Sequence, residues 1–165
     1  MTESQKKQER LKKQFCRARI SLNDFEQAIE FLAALESAAT DVPRRSLLTS
    51  AVIAYSRPFS NNEPSENAHA TSRMHGNPRS LFTPEHMLLH EDVLNLRNKA
   101  IAHAQWSEYP GALRRSRPNG FVLQARFFDI LAKQLETHHF RDIAQLMRDH
   151  CRKEIFELNR QLTRQ

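Results

Sequence analysis

Three glycines in 165 residues leave this chain few places to turn tightly, and that narrows its choice of fold more than any other feature. Leu, Ala, Arg, Glu and Gln are plentiful, and their side chains lose little rotamer freedom in a helix. The same shortage leaves no room for a glycine-rich phosphate loop of the Walker or dinucleotide type. The chain length suits one domain, burying roughly two-thirds of its unfolded surface. With 39% hydrophobic residues, long polar ends or loops are expected beside the core.

Apolar spacing then places the elements. Ser21 or Asn23 is expected to cap a helix starting near Asp24, in which Phe25, Ala28, Ile29, Leu32 and Leu35 form one face. Pro43 suits the first turn of a second helix, with Leu47, Leu48, Ala51, Val52 and Tyr55 inward and Pro58 as terminator. Residues 60–80 lose all periodicity and read as a long polar loop. Thr83 and Pro84 open the clearest helix, with Leu89, Val93, Leu96, Ala100 and His103 on one stripe. Pro118-Asn119-Gly120 reads as a turn, and Phe121, Leu123, Ala125 and Phe127 alternate as in a short strand. A last helix carries Ile143, Leu146, Met147, His150, Ile155 and Leu158. The fold class expected is an all-α bundle of four to five helices, with a long polar loop and a small β-hairpin.

Residues 1–20 are dense in Lys, Arg and Gln, and read as a basic N-terminal helix or arm ahead of a helical domain over residues 21–165. The formal charge of +6 attracts phosphates without saying anything about fold. Cys16 and Cys151 have no metal-ligand spacing, and two free thiols suit a reducing cytoplasm. No apolar run approaches the roughly 18 residues of a membrane span, and no signal peptide opens the chain, so a cytoplasmic protein without membrane contact is expected.

The stretch "LRNKAIAH" carries the chemistry worth weighing. On an ideal α-helix Arg97 and His103 stand about 120° apart around the axis and about 9 Å along it. One subunit would not pair them; a two-fold dimer packing this helix on its mate would gather two arginines and two histidines. A neutral imidazole can take the proton of an RNA 2′-hydroxyl, a guanidinium fork can hold the phosphate, and Asn98 can orient either group. The plain alternative gives each a structural role: Arg97 pairs with Glu91 or Asp92, and the histidine caps a helix end.

At these residues the chain resembles the HEPN superfamily, whose signature is an arginine, a polar residue, and a histidine after four to six intervening positions. Arg97, Asn98 and His103 fit it with five residues between the arginine and histidine. "AYSRPF" and "RNKAIAH" together resemble bacterial helical proteins of this kind over about residues 45–110. The resemblance implies an α-helical bundle that dimerises through the signature helices. It implies RNA binding, with metal-independent endoribonuclease activity of the toxin or defence type in many members and loss of catalysis in others. It implies Arg97 and His103 as catalytic residues, with Asn98 assisting, no cofactor, and a cognate antitoxin or other protein as partner. The alternatives are a non-catalytic helical dimerisation module and a nucleotide-binding module.

Further candidates surround the motif. Arg57 leaves the second helix where it could face the same cleft, with Tyr55 and Phe59 as core anchors. His90 lies seven residues before Arg97, on nearly the same face, and Lys99 falls inside the motif; with Arg57 these are the substrate-binding candidates. His86 and His90 are four apart, a spacing a metal tolerates, but no further ligands are evident and no metal site is expected.

Overall fold

A computed structural model describes residues 1–60, 74, 78–102, 111–116, 120–125 and 128–163. Its helices are α1 (Glu3–Ser37), α2 (Asp41–Ser56), α3 (Pro84–Leu96) and α4 (Thr137–Thr163), with short 3₁₀ turns at Arg57–Phe59, Pro78–Ser80 and Ile130–Lys133. They form an all-α bundle. A two-stranded antiparallel hairpin accompanies it, β1 (Gly111–Ser116) with β2 (Gly120–Ala125), in a register that pairs Leu113 with Leu123 and Ser116 with Gly120. Pro118, Asn119 and Phe127 lie outside the described residues, as do most of residues 60–80.

The first helix departs from expectation. No cap interrupts it near Asp24; it begins at Glu3 and runs unbroken for 35 residues, about 52 Å. Its true start is a capping box: the Thr2 hydroxyl accepts from the Gln5 N–H, and the Gln5 side chain accepts from the Thr2 N–H at 2.8 Å. Ser21 is buried and Asn23 exposed, both mid-helix. The basic N-terminal stretch is therefore a helix continuous with the next, the first of the two forms expected for it.

The inward faces agree with the periodicity. Leu22, Phe25, Ala28, Leu32 and Leu35 of α1 meet Leu48, Ala51, Val52 and Tyr55 of α2 and Val93 of α3. From α4 come Phe140, Ile143, Ala144, Met147 and Cys151. Leu146, assigned inward from sequence, is 38% exposed, and His150 and Ile155 are half-buried. Arg141 donates to the Leu32 carbonyl and pairs with Glu36, whereas Arg152 pairs with Glu26, so α1 and α4 run antiparallel. Among the described residues no helix is long and apolar enough to cross a membrane.

One charged residue sits inside this core. Arg17 is 2% exposed, and its Nη2 donates to the carbonyls of Arg57 (3.1 Å) and Pro58 (3.0 Å). These carbonyls lie just past the end of α2, where the dipole is negative, and each also accepts one backbone N–H, from Ser60 and from Met74. Pro58 cannot extend the helix, so a side chain from α1 completes the ending. Two turns further along α1, the mostly buried carboxylate of Asp24 takes the Arg57 side chain at 3.1 Å. Burial raises the Asp24 pKa against the pull of Arg57 and Arg17, and desolvation lowers that of Arg17.

Replacing Arg17 with Ala removes both charged hydrogen bonds and leaves a gap in the core, while the two carbonyls keep the Ser60 and Met74 N–H groups as partners. It should lower the unfolding free energy by roughly 2–3 kcal/mol, read from the urea midpoint. Arg19→Ala, on the exposed side of the same helix, should change it by less than about 0.5 kcal/mol. Equal effects of the two substitutions would remove Arg17 from this role.

Candidate functional site

The Thr83 hydroxyl accepts from the His86 N–H at 3.2 Å and Pro84 takes the first helical position, so α3 starts as its sequence prescribes. Val93 and Leu96 face the core. At Arg97 the helix changes character: Arg97–Ala102 is a π-helical turn. Such turns are uncommon and recur at functional sites. The ideal-helix geometry expected for Arg97 and His103 therefore does not apply here, because the widened turn occupies most of the interval between them.

Arg97 is half-buried, and its Nη1 donates to the Asn98 Oδ1 at 2.9 Å. This contact joins two of the residues singled out from sequence. Lys99 is exposed. His103 lies outside the described residues.

Alongside this turn is a cleft of about 360 Å³, lined by Asp92, Asn95, Leu96 and Lys99 from α3 and the π-turn, and by Lys133 and Leu135. The far wall is anchored by a bidentate fork. Arg45 of α2 donates through Nε and Nη2 to the two carboxylate oxygens of Asp129, at 2.9 and 3.2 Å. Asp129 also accepts from the Leu131 N–H, capping the 3₁₀ turn that carries Lys133. The Arg45 guanidinium holds the Asp129 carboxyl below its ordinary range. Gln134, between the two lining residues Lys133 and Leu135, has φ of 49°. A non-glycine residue there is uncommon, and the 3₁₀ ending turns the chain back along the cleft.

Of the candidates read from sequence, Lys99 lines this cleft; Arg97 and Asn98 are not in its lining, and His90 and Arg57 face other parts of the bundle. His90 is 6% exposed, not a surface histidine: its Nδ1 lies 2.9 Å from the Tyr55 hydroxyl, within the rings of Phe59, Phe82 and Tyr55. Seven residues from Arg97, it shares a helix face, but that face is turned into the bundle. Burial pulls its pKa down to about 4, so the ring is neutral, and the same burial raises the Tyr55 hydroxyl well above its usual value. Arg57 likewise turns to α1, donating to Asp24 and, at 3.3 Å, to Gln27. Tyr55 and Phe59 are the core anchors expected, with ring centroids 5.5 Å apart and both packed on Phe25.

The cleft residues Asp92, Asn95 and Lys133 were not picked out by sequence reasoning. Asp92, Asn95 and Lys99 recur at three and four on the polar side of α3, which was the available signal. Lys133 comes from a distant turn and gives none. Among the described residues no group of three or more His, Cys, Asp or Glu is placed to hold a metal ion. His86 faces Phe82 and His139 in edge-on ring contacts, and His139 pairs with Glu136 at 2.9 Å. Cys16 and Cys151 are free thiols; the buried Cys151 is pushed up to about 12 and lies 3.7 Å from the Met74 sulfur.

Compared with family models, curated proteins and solved structures, the chain matches none.

Burial of His90 has a measurable sign. The folded pKa near 4 lies below the ordinary 6.5, so the unfolded chain binds the extra proton first as pH falls. Stability from this group is complete above about pH 6.5 and declines toward pH 4, by on the order of 3 kcal/mol. Glu154, raised to about 7 by burial, acts oppositely, gaining stability as pH falls from 7 toward 4.5. A Tyr55→Phe/His90→Leu double variant should show less loss of its urea midpoint between pH 7 and pH 5 than the parent. Identical pH slopes would contradict a neutral, core-bound imidazole.

Proposed function

We propose that this chain is a HEPN-like RNA-binding protein that cleaves RNA without a metal, using Arg97, Asn98 and His103 at a homodimer interface. The observation that supports this reading most is the Arg97–Asn98 hydrogen bond at the start of the π-turn. It fixes one edge of the guanidinium and leaves other N–H donors to grip phosphate oxygens.

The chemistry is acid–base. The neutral imidazole of His103 takes the proton from a 2′-hydroxyl, and the freed oxygen attacks the adjacent phosphorus. Charge building on the non-bridging oxygens meets Arg97. The P–O5′ bond breaks, and the leaving oxygen takes back that proton from the same imidazolium. The products are a 2′,3′-cyclic phosphate and a 5′-hydroxyl. Lys99, at the edge of the cleft, is suited to the flanking backbone. His90 and Arg57 have no part in this reading, because both face the protein. A cognate antitoxin would act by covering the Arg97 turn or holding the subunits apart.

Incubation of the full chain with end-labelled RNA in EDTA should give cyclic-phosphate ends. Arg97→Ala and His103→Ala should each reduce the rate by about 10²-fold or more with unchanged circular dichroism, and Asn98→Ala by about tenfold. RNA left intact by the parent, or cut equally well by both alanine variants, would reject the proposal.

A further inference from the structure

A second polar concavity lies away from the Arg97 turn. Arg17 marks the level at which α2 ends. On its N-terminal side α1 continues from Glu3 to Cys16, about 20 Å of helix. There it runs beside the last turns of α4, with Leu11 and Leu158 buried. The described walls of the groove between them come from these two helices alone, and its volume is about 980 Å³.

Its wall is cationic. Lys6, Lys7 and Arg10 line it and are exposed, with Gln14 and Gln161 as further hydrogen-bond donors. Glu3 is the one acid in the described lining; it meets Lys6 at 3.7 Å with both side chains in solvent, a contact worth little. The charge is concentrated here: between Glu3 and Arg19 seven lysines and arginines stand against two glutamates, in a chain of net charge +6.

We propose that this groove binds the phosphate backbone of nucleic acid, as a surface distinct from the Arg97 turn and indifferent to base sequence. The lining selects among partners. Leu11 and Leu158 are already covered, so the groove's apolar lining is mostly the stems of long polar side chains and not an open seat for a partner helix or lipid chains. Its described lining has no aromatic ring, so bases find no stacking platform. What remains is a row of ammonium and guanidinium groups with amides beside them, which is chemistry for phosphate and sugar.

The test is fluorescence anisotropy of the full chain with a labelled single-stranded RNA of mixed sequence and its DNA counterpart, from about 50 to about 200 mM salt. The variant is Lys6→Ala/Lys7→Ala/Arg10→Ala; all three side chains are exposed, and circular dichroism should be unchanged. At about 0.7 per phosphate contact, the slope of log K against log salt should become shallower by about 2, with affinity falling roughly tenfold to a hundredfold at low salt. RNA and DNA should bind within a few-fold of each other. Unchanged slope and affinity in the triple variant would overturn the proposal, as would RNA preferred over DNA by about a hundredfold. So would a triple variant that stops binding vesicles of phosphatidylserine while still holding RNA as the parent does; that result would assign the groove to an anionic membrane surface.

Discussion

The two hydrogen bonds from Arg17 to the carbonyls of Arg57 and Pro58 are the constraint on which the rest of the structure depends. A guanidinium removed from water is tolerated only where acceptors are fixed to receive it. Here they are two carbonyls of the turn that ends α2, each already fixed by a backbone N–H, from Ser60 and from Met74. The pairing sets the level of α2 against α1 and hence where Tyr55 and Phe59 enter the core. The Arg57 side chain, by closing on Asp24, ties the same turn to α1 from its outer side.

From that turn the constraint passes to α3 through rings. Tyr55 and Phe59 pack edge-on against His90, with the Tyr55 hydroxyl on the imidazole. Each such contact contributes about 0.5–1.5 kcal/mol beyond burial. The exposed pairs Lys12–Glu9 and Arg152–Asp149 contribute less and weaken in salt. The aromatic seat therefore decides where α3 lies. By holding α3, it decides where the π-turn presents Arg97. His90 belongs to the machinery of position, and its neutrality follows from the same burial.

The inward faces of α1, α2 and α3 were legible in the sequence, because periodicity at three and four reports burial directly. The start of α3 was legible because Thr83-Pro84 admits one local solution. The start of α1 was misread: Ser21 and Asn23 look like caps, yet no glycine or proline separates them from the helix formers upstream. Thr2-x-x-Gln5 carried the real signal. His90 and Arg57 were misread for another reason. Sequence gives a residue's position on its own helix, but which neighbour faces it depends on packing between elements. The π-turn and the far wall of the cleft, held by Arg45 on Asp129 more than eighty positions away in sequence, were hidden for that reason too.

What gives these parts a purpose is the idea that two copies of the chain complete one another at the Arg97 turn. Mixing separately purified Arg97→Ala and His103→Ala proteins tests it most directly. If each site draws its arginine from one subunit and its histidine from the other, exchange should restore up to about half of the parental cleavage per mixed dimer. Two inactive proteins that stay inactive after mixing, although subunit exchange is shown by labelled copies, would contradict the account.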